Sequence, residues 1–433
     1  MNKQSLRISG GAIWIAAFIL ILATPLSARA ATCPAPKDNQ VVVYSGTNFS
    51  GSCRVLDLGN YPNRSHFAPA GQGSVSSLIT GSLVRVALFE NAGYAGVQTY
   101  YDGGLRYANL GKFAGKAGSA AVIRERGGRL ASTYLGTQPF DRENFWSNDS
   151  QGLANDGENW FVVKGSTANN ARIFKVPLTY DLGSKTEGRN PSAGIPEALK
   201  RSGYNHIGDP DRYGDFLLVP VQGPGVRPRI AVFDTRDLSF ITSALIPAAP
   251  DTAGGWLAVR QTDGTVWLSA GTFSYFKQYA VDWATLAKEG QLILTSRADT
   301  PVYLWDETLL MTLSAAQGGV FNPEGTILYF ASGACDGRGS IYAFALVDGK
   351  AVLQARSANG FGPFNYEMHP ESSLCLFGEC VCRGDETEGL DWLDVSGRGV
   401  PGVPEGKLHV VVVNNKVLTK DGVHIKHYGE AVR

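Results

Sequence analysis

The sequence predicts an all-β chain in two parts, a Greek-key sandwich followed by a five- or six-bladed β-propeller. Three observations lead there. Glycine (52 residues) and aromatics are abundant while Met (3) is scarce. Short runs rich in Val, Ile, Phe, Tyr and Trp are cut by Asp-Gly, Glu-Gly and Gly-Gly turns. Two different phrases also recur, one near the start and one through the rest of the chain. Helical periodicity is confined to "IPEALKRSG" from Ile195 and "DWATLAKEG" from Asp282, each closed by a glycine, Gly203 or Gly290.

In chain order, Lys3 and Arg7 precede the apolar run "GAIWIAAFILILA", and Pro25 ends it just before Ala28-Arg29-Ala30. This is the pattern of a secretory signal over residues 1–30. A spanning helix needs about 20 apolar residues, more than this run offers. The mature protein is therefore expected to be soluble, secreted or periplasmic, with no membrane span. Basic and acidic residues balance at 39 each, and loss of Lys3, Arg7 and Arg29 leaves a slight acidic excess. No basic stripe is present, which argues against a nucleic-acid partner. All six cysteines follow the leader: Cys33, Cys53, Cys335, Cys375, Cys380 and Cys382. An even number in an exported chain reads as disulfides, with Cys33–Cys53 the natural early pair. A metal on "CLFGECVC" lacks a second well-spaced pair of ligands.

Residues 31–128 carry the first repeat. In "VVVYSGTNFSGSCRVLDLGNY" and "VALFENAGYAGVQTYYDGG" an aromatic is followed by a second and then by glycine at the same spacing: Tyr44, Phe49, Gly51, and Phe89, Tyr94, Gly96. The two aromatics can stack across a folded-over hairpin, and glycine permits the positive φ that such a fold requires. Each hairpin buries one face, so the copies supply each other's partner. This pattern, with "LGNY" and "GSVSSLI", resembles the βγ-crystallin family over about residues 40–125, which implies two Greek-key motifs packed as a sandwich. Many microbial members bind calcium through two Asp or Asn residues, two intervening residues and Ser/Thr-Ser. The corresponding stretches here are Gln72-Gly73-Ser74-Val75-Ser76-Ser77 and Lys116-Ala117-Gly118-Ser119-Ala120-Ala121. The first keeps the serines without the acids and the second keeps neither, so tight calcium binding is not expected of this domain.

Residues 129–149, polar and turn-rich, read as a linker or docking strand. Over residues 150–433 a polar tip, one or two glycines and a strand recur, starting at Gln151, His206, Gly254, Gln317 and Glu388. Each unit carries a second strand, such as "ARIFKVPL" or "LHVVVVNN". Short antiparallel strands at such intervals predict propeller blades, with glycine letting the innermost strands crowd one axis. "TPVYLWDETLLMT" is a spare strand. The last strand, "DGVHIKHY", is expected to join an N-terminal sheet and close the ring.

That layout brings Gln151, His206, Asp209, Gln317 and Glu388 toward one mouth of a central channel, with Asp211, Glu386 and Asp391 near in sequence. Two functions follow. The first is an exported recognition protein that binds a glycan, a protein or a small-molecule ligand on the propeller face, through Gln151, Trp256, Trp267 and Trp392. The second is a calcium-dependent hydrolase, with Asp209, Gln317 and Glu388 holding the cation and His206 as general base. The Glu-Gly pair at Glu388 resembles calcium-dependent propeller hydrolases such as lactonases and phosphatases. His409 reads as a hydrogen-bonded core or edge residue, while strand alternation puts His424 and His427 on opposite faces. No Gly-x-Ser-x-Gly elbow or zinc motif appears.

Overall fold

The computed structural model describes residues 33–69, 74–101, 103–124, 130–140, 149–165, 171–179, 190–248, 255–303, 310–332, 340–356, 374–376, 379–381, 385–400, 406–414 and 422–432. The expected leader, Gln72, Gly73, Gly254, Cys335 and Cys382 lie outside these residues. The chain forms two compact units, residues 1–122 and 123–433. No described helix is long and apolar enough to cross a membrane.

The first unit is a pair of four-stranded sheets that exchange strands. Val41–Tyr44 pairs with Cys53–Leu56 and Ser77–Thr80, and Ser77–Thr80 pairs with Arg106–Tyr107 from the second repeat. The other sheet holds Val84–Asn91, Ala95–Tyr101 and Ser119–Arg124, with Gly59–Tyr61 from the first repeat. Alternate residues of each sheet, including Val41, Val43, Leu78, Val86, Leu88, Ala120 and Val122, fill one shared core. The two hairpins fold alike. Tyr44 meets Phe49 edge-on at 5.7 Å and Phe89 meets Tyr94 edge-on at 5.6 Å. Phe49 (φ 60°) and Tyr94 (φ 63°) are held left-handed, as are Gly51 (φ 76°) and Gly96 (φ 81°). Cys33 is bonded to Cys53, as the spacing suggested.

One serine bridges each hairpin. Ser77 Oγ donates to the Gly46 carbonyl and accepts from the Phe49 N–H. Ser119 Oγ does the same for Asn91 and Tyr94. The second repeat therefore keeps this serine, contrary to the sequence alignment, which set Ala121 against Ser77. The connection before Ser119 is shorter than its counterpart before Ser77, and the alignment did not allow for that.

The second unit is built from antiparallel strands in five successive groups. The first is Ser150–Asn155, Asn159–Lys164, Arg172–Pro177 and Ser192–Gly194. In the second, His206–Ile207 and Asp211–Tyr213 both pair with Phe216–Gly223, followed by Val226–Asp234 and Phe240–Leu245. The third is Ala258–Arg260, Thr265–Leu268, Tyr275–Val281 and Leu294–Ser296. The fourth is Ala316–Phe321, Ile327–Ser332, Ser340–Val347 and Lys350–Arg356. The fifth joins Asp385–Trp392, Leu408–Asn414 and Gly422–Val432 to Leu130–Phe140, so the segment read as linker or docking strand is a sheet strand. The spare strand, Thr300–Tyr303, pairs with Tyr275–Val281 and runs parallel to Lys350–Arg356, fusing the third and fourth groups into one nine-stranded sheet.

Apolar cores lie between successive groups. Leu217, Val219 and Phe233 of the second face Phe161, Val163 and Ile173 of the first. Val411, Val413 and Ile425 of the fifth face Leu153, Trp160 and Phe174 of the first, which brings the last group against the first. The two helices sit where expected. Glu197–Arg201 is followed by Gly203 (φ 96°). Trp283–Glu289 is capped by the Asp282 carboxylate, which accepts from the Thr285 N–H, and ended by left-handed Gly290. Cys375 lies opposite Cys380 on the strand pair Leu374–Leu376 and Glu379–Val381.

Candidate functional site at the convergence of the first strands

The first strands of all five groups meet around one side chain, Asp209. It is fully buried, and its carboxylate accepts from three backbone N–H groups in three other groups. Oδ1 takes Leu153 at 3.0 Å, while Oδ2 takes Gly319 at 3.2 Å and Leu390 at 3.4 Å. Its own backbone completes the set, since Asp209 N–H donates to Gly255 O and Asp209 O accepts from Leu257. The glycines predicted from the repeat make this approach possible. A Cβ on Gly152 would lie 2.2 Å from Asp209 Oδ1, and one on Gly389 would lie 2.3 Å from the same oxygen and 2.6 Å from Gly152 Cα. On Gly318 it would lie 2.6 Å from Gly389 Cα. Burial pushes the Asp209 carboxyl well above its usual value, opposed by those three N–H groups.

Residues that precede these glycines in the chain fall on one side of Asp209, and residues that follow fall on the other. On the entry side His206 bridges the first two groups. Its Nε2 lies 2.9 Å from Gln151 Oε1, and Gln222 Nε2 lies 3.1 Å from its Nδ1. The Gln222 amide donates, so Nδ1 accepts and Nε2–H is the donor to Gln151. The imidazole is thus a neutral link, and burial lowers its pKa, with Asp149 opposing. Gln317 is half-buried on the same side and Glu388 is buried. On the exit side, two carboxylates tie neighbouring groups together. Asp211 Oδ2 accepts from Val259 N–H at 2.7 Å, and Asp391 Oδ2 accepts from Asn155 Nδ2 at 2.6 Å. Burial raises Asp211 to about 7 and moves Asp391 well up, the latter also pushed by Asp211. Arg212 Nε donates to Asn155 O, and Gln261 Nε2 to Arg212 O.

Three expectations need correction. Asp209 is no cation ligand: the partners on its oxygens are N–H dipoles, whose positive ends fill the space a metal would need. With it falls the set of Asp209, Gln317 and Glu388, and among the described residues no group of three or more His, Cys, Asp or Glu is arranged to hold a metal. Trp256 and Trp267 offer no face to a ligand. Trp256 packs edge-on against Phe276 and Phe330 and donates to Ser269 Oγ at 2.9 Å, while Trp267 packs on Phe276 and Phe321. Trp392 is half-buried and stacks on Tyr329. His206 has both ring nitrogens engaged by glutamines, so neither is free to take a proton. Of the expected mouth residues, the structure brings Gln151 and His206 into contact.

Sequence reasoning missed a second polar pair. His409 and His427, fully buried, face each other across two strands with Nδ1 atoms 2.6 Å apart. The register that pairs them, between Leu408–Asn414 and Gly422–Val432, is a tertiary property. The signal available was one histidine, His409, within the otherwise apolar run Leu408–Val413, and another, His427, in the alternate positions of Val423 and Ile425.

No family model matches this chain, and no curated protein matches it. Solved structures similar to part of it include βγ-crystallin domains. The N-terminal domain of Protein S is 26% identical and covers 20% of this chain and 96% of its own, at a TM-score of 0.18. A βγ-crystallin domain from Clostridium beijerinckii is 24% identical, with coverages of 19% and 97% and a TM-score of 0.17. Hahellin, a βγ-crystallin, is 26% identical, with coverages of 20% and 92% and a TM-score of 0.18. These belong to the family that the paired hairpins resemble.

Proposed function

We propose that this is an exported recognition protein: the second unit is a five-bladed β-propeller that binds a glycan or protein ligand at its entry-side mouth, and the crystallin-like unit is a rigid adapter. The observation that carries the reading is the engagement of Asp209: it is fully buried, the glycines of three other groups pack against it, and both of its oxygens are spent on backbone N–H groups of the scaffold. What remains toward solvent on the entry side is a half-buried row of hydrogen-bonding groups, Gln151, His206 and Gln222, with the Asp149 carboxylate 3.4 Å from Gln151 Nε2. Amides, an imidazole and a carboxylate suit the hydroxyls and N–H groups of a glycan or peptide. The leader pattern and the Cys33–Cys53 bond support placement in a secreted or periplasmic setting.

Calcium-dependent hydrolysis ranks below this reading, because the residues expected to hold calcium do not form a cation site. The test is a glycan and peptide array probed with wild type and with Gln222→Ala. Binding that falls at least tenfold in the variant, with an unchanged melt, supports the mouth. Elemental analysis that finds one tightly held metal whose chelation lowers the melting temperature would return the hydrolase to first place.

A further inference from the structure

A chain of hydrogen bonds crosses from the second group to the first on the entry side and ends on Asp149. Gln222 Nε2 donates to His206 Nδ1 at 3.1 Å, His206 Nε2–H donates to Gln151 Oε1 at 2.9 Å, and Gln151 Nε2 lies 3.4 Å from Asp149 Oδ1. Every donor points the same way, so the polarity of the chain collects on the carboxylate. The last link is the weakest, because the Gln151 amide is long to Asp149 and is shared with Ser150 O at 3.5 Å. The backbone fixes Asp149 in place: its carbonyl accepts from Gly165 N–H at 2.9 Å, and its φ is 61°. Asp149 is half-buried, its Oδ2 is buried, and among the described residues nothing donates to that oxygen. A carboxylate oxygen so placed forfeits hydration and gains no donor in exchange.

We propose that Asp149 determines the specificity of the entry-side mouth and receives the ammonium group of a lysine side chain from a partner protein. The inference rests on the binding reading above and names the chemistry that this mouth selects. A guanidinium pairs best with both oxygens of one carboxylate, and here Gln151 faces one of them. An ammonium is a point charge that needs only one. Burial of Oδ2 selects further: lysine brings its charge on a slim, flexible stem, whereas an amine on a sugar ring arrives with the ring. The carboxylate turns about a soft terminal torsion, so its open oxygen can meet a donor entering from the mouth. Gln151 Oε1, which takes one bond from His206, keeps a second lone pair for another ammonium hydrogen. His206, neutral as a link of the chain, sets no charge against the incoming cation.

The test uses the full chain and two probes: a library of short peptides with a single central lysine, and the same library with that lysine Nε-acetylated, which removes the charge and keeps the stem. Wild-type binding that falls about tenfold or more on acetylation, and equally in Asp149→Asn, upholds the proposal. Asparagine accepts the same left-handed φ, so Asp149→Asn should melt no lower than wild type. A melt several degrees lower would give the carboxylate a structural role and overturn the proposal. Binding that survives acetylation and Asp149→Asn yet falls in Gln222→Ala overturns the lysine and leaves the mouth standing. Capture of amino sugars on a glycan array, with neither peptide library bound, does the same. No binding to either library or to the glycan array overturns both readings together.

Discussion

Asp209 shows how a single letter is misread when its partners are backbone. A buried carboxylate is costly unless it is paired, and here three N–H donors from three sheets supply the pairing. Asp209→Asn keeps the volume but turns one acceptor into a donor facing a donor. It should cost about 3–5 kcal/mol, comparable to breaking a buried charge interaction, and chemical denaturation of the second unit measures it. Asp211 makes a pH-dependent prediction. Its carboxyl is raised from the usual 3.8 to about 7, so the folded state holds that proton longer than the unfolded one. Its contribution is present in full below pH 3.8 and is lost as pH rises through 7. Asp211→Asn should therefore gain stability relative to wild type between pH 5 and pH 8, which paired melts at the two pH values would show. No gain would mean that the Val259 and Arg212 N–H groups hold the carboxylate more firmly than burial opposes it. Asp209 was visible in the sequence as a residue of interest. Its role was not, because converging N–H groups are written in no side chain.

At the level of elements, the paired hairpins were the most legible part of the chain. Their determinants, two aromatics and a glycine in a left-handed turn, lie within eight residues of one another, so spacing alone reports them. Ser119 escaped because its partner hairpin lies a variable loop away. Its equivalence to Ser77 predicts matched effects: Ser77→Ala and Ser119→Ala should each cost about 1–3 kcal/mol by leaving a part-buried N–H and carbonyl without their bridge. Urea melts of the first unit should show similar losses, and a silent Ser119→Ala would break the equivalence. The tryptophans illustrate the opposite case. Strand alternation was clear, but which face looked inward was set by Gly319, whose missing side chain admits the Trp256 ring: a Cβ there would lie 2.3 Å from it. Gly319→Ala should push that ring aside and cost about 1–3 kcal/mol, read as a lower melting temperature with quenched or shifted tryptophan emission.

Over the whole molecule, the recurrence of tip, glycine and strand was legible, since Gln151, His206, Gln317 and Glu388 each lie in the first strand of a group, while Gly254 falls outside the described residues. The closing strand was half-legible: the sequence pointed to the last strand joining an N-terminal sheet, while the segment that receives it, Leu130–Phe140, read equally as a linker or a docking strand. That closure has a consequence for how the chain is made. Synthesis delivers residues 130–140 first among the second unit's strands, and their partner, residues 422–432, last. Throughout elongation the early strand waits with its hydrogen-bonding edge open, and the pairing that satisfies it spans nearly the entire unit, the kind of contact that slows folding most. A nascent or truncated chain thus carries the complete ingredients of four sheets and a fifth that cannot form. A cut just before Gly422 should leave a sticky intermediate in place of a smaller folded unit, so that the final strand acts as the checkpoint at which the chain stops being prone to aggregation.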